Sequence, residues 1–174
     1  MNKALFLDRD GVINVDYGYI VSKDRFVFCE GIFELSRLAR DRGFKIVVVT
    51  NQSGIARAMY SEEEFKALTR WMLKEFSDRD APISGVYYCP HAPEDNCECR
   101  KPKSGMFRQA IDDFHIDPSR SWMIGDKTSD MEAAIGAGVK NLVLLGDSLT
   151  GNTELIARRK NLLDTIVYFK KAAR

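Results

Sequence analysis

Carboxylates in this sequence stand directly after apolar runs, and they do so repeatedly. Lys3 to Leu7 (KALFL) is followed at once by Asp8-Arg9-Asp10-Gly11, and Trp122 to Gly125 by Asp126-Lys127-Thr128-Ser129-Asp130. Lys45 to Thr50 (KIVVVT) leads into Asn51-Gln52-Ser53, and Arg100-Lys101-Pro102-Lys103 lies between the third and fourth such runs. Acids brought together repel and raise one another's pKa unless a cation sits among them, and hard oxygen ligands suit Mg2+. Phosphate is the natural partner: once Mg2+ and a lysine neutralise its oxygens, an ionised aspartate can attack phosphorus and become an aspartyl-phosphate. A second acid must then protonate the departing alkoxide and later deprotonate water. Asp8 and Asp10, two apart at a strand end, can project to the same side and supply both roles from one segment. Taken singly, each motif reads as a turn or a helix start, where Asp and Gly are favoured anyway, Thr50 as a strand terminus and Lys101 as a solvated charge. The joint ordering of four motifs, each after a strand or in the connecting loop, turns the reading toward phosphoryl chemistry.

The cysteines form a second constellation. Cys89, Cys97 and Cys99, three of the four, cluster with His91, one of two histidines. Two ligand pairs, Cys89/His91 and Cys97/Cys99, each with one intervening residue, bracket a loop containing Pro93. A redox disulfide is the bland alternative. Three thiolates and one imidazole make the closed tetrahedral set of structural Zn2+, with no position left for chemistry. Arg100 directly follows Cys99, so a metal there would fix where Arg100 and Lys101 point. Cys29 and His115 are assigned no role.

These groups need elements to hold them. Five strands are expected, at Lys3 to Leu7, Lys45 to Thr50, Ile83 to Tyr88, Trp122 to Gly125 and Asn141 to Leu145, alternating with helices. The first helix starts near Gly31, faces inward with Ile32, Leu35, Leu38 and Ala39, and stops at Gly43. The second opens on a Ser61 to Glu64 capping box and runs to about Asp78, with Phe65, Leu68, Met72 and Phe76 inward. The third follows Ser104, with Phe107, Ala110, Ile111 and Phe114 inward. The fourth opens on a capping box at Ser129 to Glu132 and closes at Gly138. A last helix from about Asp164, carrying Ile166, Val167 and Phe169, is expected at the sheet edge. The alternation predicts a doubly wound, three-layer Rossmann-like α/β fold with a parallel sheet, whose ligands bind beyond the C-terminal strand ends. The long connection from Asp8 to Glu30 is expected to be functional.

The chain has 174 residues, 45% hydrophobic and 29% charged, which predicts one soluble domain over residues 1–174 and leaves no room for a second substrate domain. Its net charge of +1 offers no general basic field for nucleic acid. With no apolar run near membrane length and no leader-like N-terminus, a cytoplasmic protein without membrane partners is expected.

Asp8-Arg9-Asp10-Gly11-Val12-Ile13-Asn14, Thr50-Asn51-Gln52-Ser53-Gly54-Ile55, Arg100-Lys101-Pro102 and Gly125-Asp126-Lys127-x-x-Asp130 together resemble the haloacid dehalogenase (HAD) superfamily of phosphotransferases. Within it they are most similar to the branch holding the D-glycero-D-manno-heptose 1,7-bisphosphate 7-phosphatases and the histidinol-phosphate phosphatases. The resemblance implies Asp8 as nucleophile and Asp10 as general acid/base. It implies Mg2+ bound by Asp8, the Asp10 carbonyl and Asp126, with Asp130 supporting that group from behind. Thr50 and Lys101 would hold the transferring phosphoryl group. Arg100 would recognise substrate, aided by Asp16, Tyr17, Gly18, Tyr19, Asn51, Gln52, Ser53 and Lys127. The branch carries a zinc loop, here residues 89–99, with ligands Cys89, His91, Cys97 and Cys99. The interval from Asn51 to Arg100 is filled by a helix, a strand and this loop, so a capless site is expected. A sugar bisphosphate entering it would meet Arg100, Lys101, Lys103 and Arg57 with its second phosphate. The implied activity is Mg2+-dependent removal of the C7 phosphate of heptose bisphosphate by a monomer, in the supply of ADP- or GDP-heptose precursors. The rival within the branch is histidinol-phosphate hydrolysis; the rivals outside it are a phosphorylated signalling receiver and a catalytically dead zinc-bearing interaction module. A receiver needs an aspartate at the end of the third strand, where this chain has Tyr88-Cys89.

Overall fold

The computed structural model describes residues 1–146 and 156–170. Six parallel strands form one sheet: β1 (Lys3–Leu7), β2 (Phe44–Asn51), β3 (Gly85–Cys89), β4 (Trp122–Gly125), β5 (Asn141–Leu145) and β6 (Ile156–Arg159). Their spatial order is β3-β2-β1-β4-β5-β6. The five expected strands are present within two residues of their expected bounds. The sixth, Ile-Ala-Arg-Arg, was not foreseen, because two arginines in four residues do not read as a buried run. It forms because the free edge of β5 can take one more parallel strand.

Helices cover both faces. One apolar cluster joins Leu5, Leu7, Ile46, Val48 and Ile124 to α1 (Ile32–Asp41), α2 (Glu62–Ser77) and α5 (Ile166–Lys170). The other joins Ala4, Phe6, Val47, Val49 and Met123 to α3 (Gly105–Phe114) and α4 (Thr128–Gly136). Alternate residues of β1 and β2 thus enter opposite cores, as strands buried on both faces require. The architecture is the doubly wound three-layer sandwich, open at the strand ends, with no cap domain among the described residues.

A local signal sets the start of α2. Ser61 accepts from the Glu64 amide at 3.1 Å while Glu64 accepts from the Ser61 amide at 2.7 Å, the expected capping box. Two expectations are corrected. The α4 cap is two residues earlier than Ser129: Lys127 is the N-cap, and the Asp130 carboxylate accepts from its amide at 3.0 Å. The final helix also begins later than expected, at Ile166 after a 3-10 turn at Leu163–Thr165, and leaves Val167 exposed. It packs on a sheet face rather than the edge, with Phe169 against Phe44 and Trp122.

Register places the site. Leu7 lies beside Val48 on one side and Ile124 on the other, and Asn51 beside Cys89. The residues that follow β1, β2, β3 and β4 therefore emerge on one edge, around the point where the chain crosses from one flank of β1 to the other.

Candidate active site

Asp8 leaves β1 with 5% exposure, its amide held by the Ile124 carbonyl at 3.1 Å. Asp126, following β4, and Asp130, in the first turn of α4, complete a trio of acids with one oxygen each within 4.8 Å of the others. Lys101 lies among them, 4% exposed. Its Nζ is 3.0 Å from Asp8 Oδ1, 2.6 Å from Asp130 Oδ1 and 2.8 Å from the Val49 carbonyl, so all three donors of the ammonium have an oxygen. Burial pushes the Asp8 carboxyl up to about 7; Lys101 opposes this, and Asp130 and Asp126 add to it. Burial likewise raises Asp126. Lys101 itself is held above its ordinary value: burial works against its charge, but Asp8 and Asp130 outweigh it.

One oxygen of this group is left over. Asp130 Oδ2 accepts from the amides of Asp126 and Lys127, whereas Asp126 Oδ1 is buried with no hydrogen-bond partner. A side chain at residue 11 would close the space in front of Asp126: a Cβ there would fall 2.2 Å from Asp126 Oδ2, and Gly11 adopts φ +87°. An orphaned carboxylate oxygen, clustered acids and a glycine-lined approach fit a hard divalent cation such as Mg2+.

Asp10 takes a different direction from Asp8. Its carboxylate is gripped by the Arg9 guanidinium at 2.9 and 3.0 Å, by Asn14 Nδ2 at 3.0 Å and by Gln52 Nε2 at 3.0 Å. Burial raises its pKa, but these donors outweigh burial and hold it below the ordinary carboxylate range. The side chain is not part of the acid trio, yet Asp8 and Asp10 line one cavity of about 460 Å3. Arg9 is fully buried, its other contacts being the Ile20 carbonyl at 3.0 Å and the rings of Phe26 and Phe65. The main cavity also takes in Thr50, Asn51, Ser53, Arg100, Lys101, Lys127 and Asp130. A second cavity of about 280 Å3 adjoins it through Asp10, Asn51, Ser53 and Lys127, and adds Asp16, Gly18, Tyr19, Gln52 and Tyr60.

Nearly all the residues singled out in sequence thus meet at one place, with exceptions. Tyr17 is 59% exposed and lines neither cavity; only its carbonyl is used, by Arg25. Lys103 is tied to Glu98 at 2.8 Å and to the Asn96 carbonyl, outside both cavities, and Arg57 donates to the Tyr19 hydroxyl at 3.1 Å. The carboxamides of Asn51 and Gln52 are engaged with protein: Asn51 with the Lys101 peptide, and Gln52 with Asp10, Thr50 and Tyr60. Arg9, Asn14 and Tyr60 were missed. Arg9 and Asn14 stood inside a quoted motif, but nothing in their spacing showed that they point at Asp10.

The cysteine group also assembles. Cys89 Sγ is 3.5 Å from both His91 Nδ1 and Cys97 Sγ, Cys99 Sγ is 3.2 Å from His91 Nδ1, and Cys97 and Cys99 Sγ are 3.4 Å apart. Bonded sulfurs would be about 2.05 Å apart, which excludes a disulfide. The four atoms form a cluster able to coordinate a metal. Arg100 next to it donates to the His91 carbonyl at 3.4 Å.

Residues 98–166 match the family model described as "HAD-hyrolase-like". The D-glycero-beta-D-manno-heptose-1,7-bisphosphate 7-phosphatase of Haemophilus influenzae is 49% identical over 175 residues, covering 96% of this chain and 94% of that protein. Its namesake in Escherichia coli K12 is 48% identical over 160 residues, covering 87% and 84%. Among solved structures, the D,D-heptose 1.7-bisphosphate phosphatase of B. bronchiseptica, complexed with magnesium and phosphate, superposes with TM-score 0.85 at 28% identity, covering 95% of this chain and 97% of that one. A putative HAD-like phosphatase from Mesorhizobium loti gives TM-score 0.83 at 30% identity, covering 99% and 90%.

Proposed function

Because the chain belongs to the D-glycero-β-D-manno-heptose-1,7-bisphosphate 7-phosphatases of the HAD superfamily, we propose the following division of labour among its residues. The protein is a Mg2+-dependent phosphatase that removes the C7 phosphate of D-glycero-D-manno-heptose 1,7-bisphosphate, a step in heptose precursor synthesis. The relatives act, by name, on the β anomer, and we assign the same anomer here. The observation that carries the mechanism is the Lys101 ammonium between Asp8 and Asp130, beside the unpartnered oxygen of Asp126.

Asp8 is the nucleophile: buried and paired with Lys101, its carboxylate is desolvated and aimed into the main cavity. It attacks phosphorus to give an aspartyl-phosphate as the sugar C7 alkoxide departs. Asp8, Asp126 and the Asp10 carbonyl would hold Mg2+, which when bound would neutralise phosphoryl oxygens and the mutual repulsion of the acids. Asp130, both of whose oxygens are occupied, positions Lys101 and the Asp126 loop. Lys101 shares its Asp8-facing proton with a phosphoryl oxygen, and Thr50 adds its hydroxyl. Asp10 is the general acid/base: since its neighbours favour the ionised form, it must first take up a proton from solvent, which it gives to the leaving oxygen, and once ionised again it takes the proton of the attacking water.

Arg100 and Lys127 supply the cationic rim for the sugar and its remaining phosphate, with Asp16, Gly18, Tyr19 and Ser53 lining the entrance. Zn2+ is assigned to Cys89, His91, Cys97 and Cys99, since separations of 3.2–3.5 Å approach the edges of a tetrahedron with Zn–S of ~2.3 Å and Zn–N of ~2.0 Å. We read residues 1–174 as one catalytic domain that works as a monomer in the cytoplasm; no described helix is long and apolar enough to cross a membrane.

Phosphate release from the β and α heptose bisphosphates and from histidinol phosphate, each with Mg2+, tests the reading. The β-heptose compound should turn over fastest. Faster release from histidinol phosphate would overturn the substrate, and no release from any of them by zinc-loaded protein would leave a non-catalytic module.

A further inference from the structure

We propose that Tyr60 is a positioning residue of the phosphoryl site, its hydroxyl fixing the orientation of the Gln52 carboxamide and thereby the hydrogen-bonding roles of Asp10 and Thr50. The proposal rests on the phosphatase reading above. The Tyr60 hydroxyl is 2.5 Å from Gln52 Oε1, and Gln52 Nε2 is 3.0 Å from Asp10 Oδ2 and 2.9 Å from Thr50 Oγ1. An ionised carboxylate only accepts, so Asp10 requires the Nε2 end of the amide. Oε1 must then face Tyr60, and the phenol must donate.

The consequence falls on Thr50. Its oxygen receives an N–H from Gln52, so its own proton is free to point into the cavity that Thr50 lines. With the carboxamide turned over, Oε1 would face the Asp10 carboxylate and draw the Thr50 proton away from the phosphoryl position. Gln52 is 2% exposed, Thr50 and Tyr60 are also buried, and a lost partner among them is poorly replaced by water.

An independent feature seats the ring. A Cβ at Gly54 would fall 2.3 Å from Tyr60 Cε1 and 2.8 Å from its hydroxyl oxygen. The Met59 amide closes a turn on the Gly54 carbonyl at 2.9 Å, returning Tyr60 over the glycine. The segment from Thr50 to Gly54 therefore carries both the group to be oriented and the seat of the group that orients it.

Tyr60→Phe, Gln52→Met and the double variant, compared with wild type in steady-state kinetics, test this. Tyr60→Phe should lower kcat about tenfold, the worth of one buried hydrogen bond, with KM within about twofold. In the Gln52→Met background the same change should alter kcat less than about twofold, because the hydroxyl then has nothing to orient. Gly54→Ala, which displaces the ring without removing a polar atom, should give the same kcat-selective loss; circular dichroism checks that each variant folds. Unchanged kcat, a rise in KM alone, or multiplicative effects in the double variant would overturn the proposal. Parallel assays with p-nitrophenyl phosphate separate the two readings: wild type active on it but not on heptose bisphosphate would remove the substrate assignment, while the coupling would still be read.

Discussion

The side chain of Asn51 closes a reciprocal pair of hydrogen bonds on the peptide of Lys101: the Lys101 amide donates to Oδ1 at 3.0 Å, and Nδ2 donates to the Lys101 carbonyl at 3.1 Å. The two residues are 50 apart in the chain. One carboxamide thus ties the loop after β2 to the loop carrying the buried ammonium. Asn51→Ala should release that loop and lower kcat by about one to two orders of magnitude, two hydrogen bonds being worth about 1 kcal/mol each. Steady-state kinetics beside a thermal melt would show whether activity falls further than stability.

Removing the nucleophile is a sharper test. Asp8→Asn keeps shape and hydrogen bonding but not charge, and should abolish turnover by several orders of magnitude with the fold retained. Substantial residual phosphate release would assign the attack to another group.

Lys101→Met leaves Asp8 and Asp130 buried without their cation. Breaking a buried pair from one side costs about 3–5 kcal/mol. Equilibrium denaturation at neutral pH should show a loss of that order, shrinking in acid as the acids take up protons.

Gly11→Ala places a methyl group 2.2 Å from Asp126 Oδ2, at a φ that L residues rarely adopt. Titration of the variant with Mg2+ should show metal activation weakened about tenfold or more, since Asp126 must move. Wild-type Mg2+ dependence would remove Asp126 from the metal site.

The elevated Asp8 carboxyl links charge to stability. Burial raises it from 3.8 to about 7, so the folded protein binds a proton that the unfolded chain has already lost between those values. The penalty is absent below about pH 4, grows up to about pH 7 and is complete above it. Melting temperature in EDTA should therefore fall as pH rises from about 5 to about 8, and Asp8→Asn should flatten the slope. An unchanged slope in the variant would contradict the assignment.

Cys97→Ser should lower bound zinc, measured by elemental analysis, from one ion per chain toward none. It should also lower activity, because Arg100 and Lys101 directly follow the cluster and Arg100 is tied to the His91 carbonyl. A variant with full zinc content would refute the ligand set.

What the chain itself determined was what local physics determines. Apolar runs such as KIVVVT, the Ser61 to Glu64 cap and the glycine after α1 specify strands, helix ends and their order, and parallel order alone puts all following residues on one edge. Asp8, Asp126, Lys101 and the Cys/His group were legible because their position relative to a strand end or to one another is a matter of spacing. Which group faces which was not. Asp10 is held by Arg9, Asn14 and Gln52, and the amides of Asn51 and Gln52 are engaged with protein. Tyr60 acts from outside any motif, and β6 exists only because a neighbouring edge lay open. Such partnerships form between groups far apart in the chain, and only the packed tertiary structure decides which buried donor meets which acceptor.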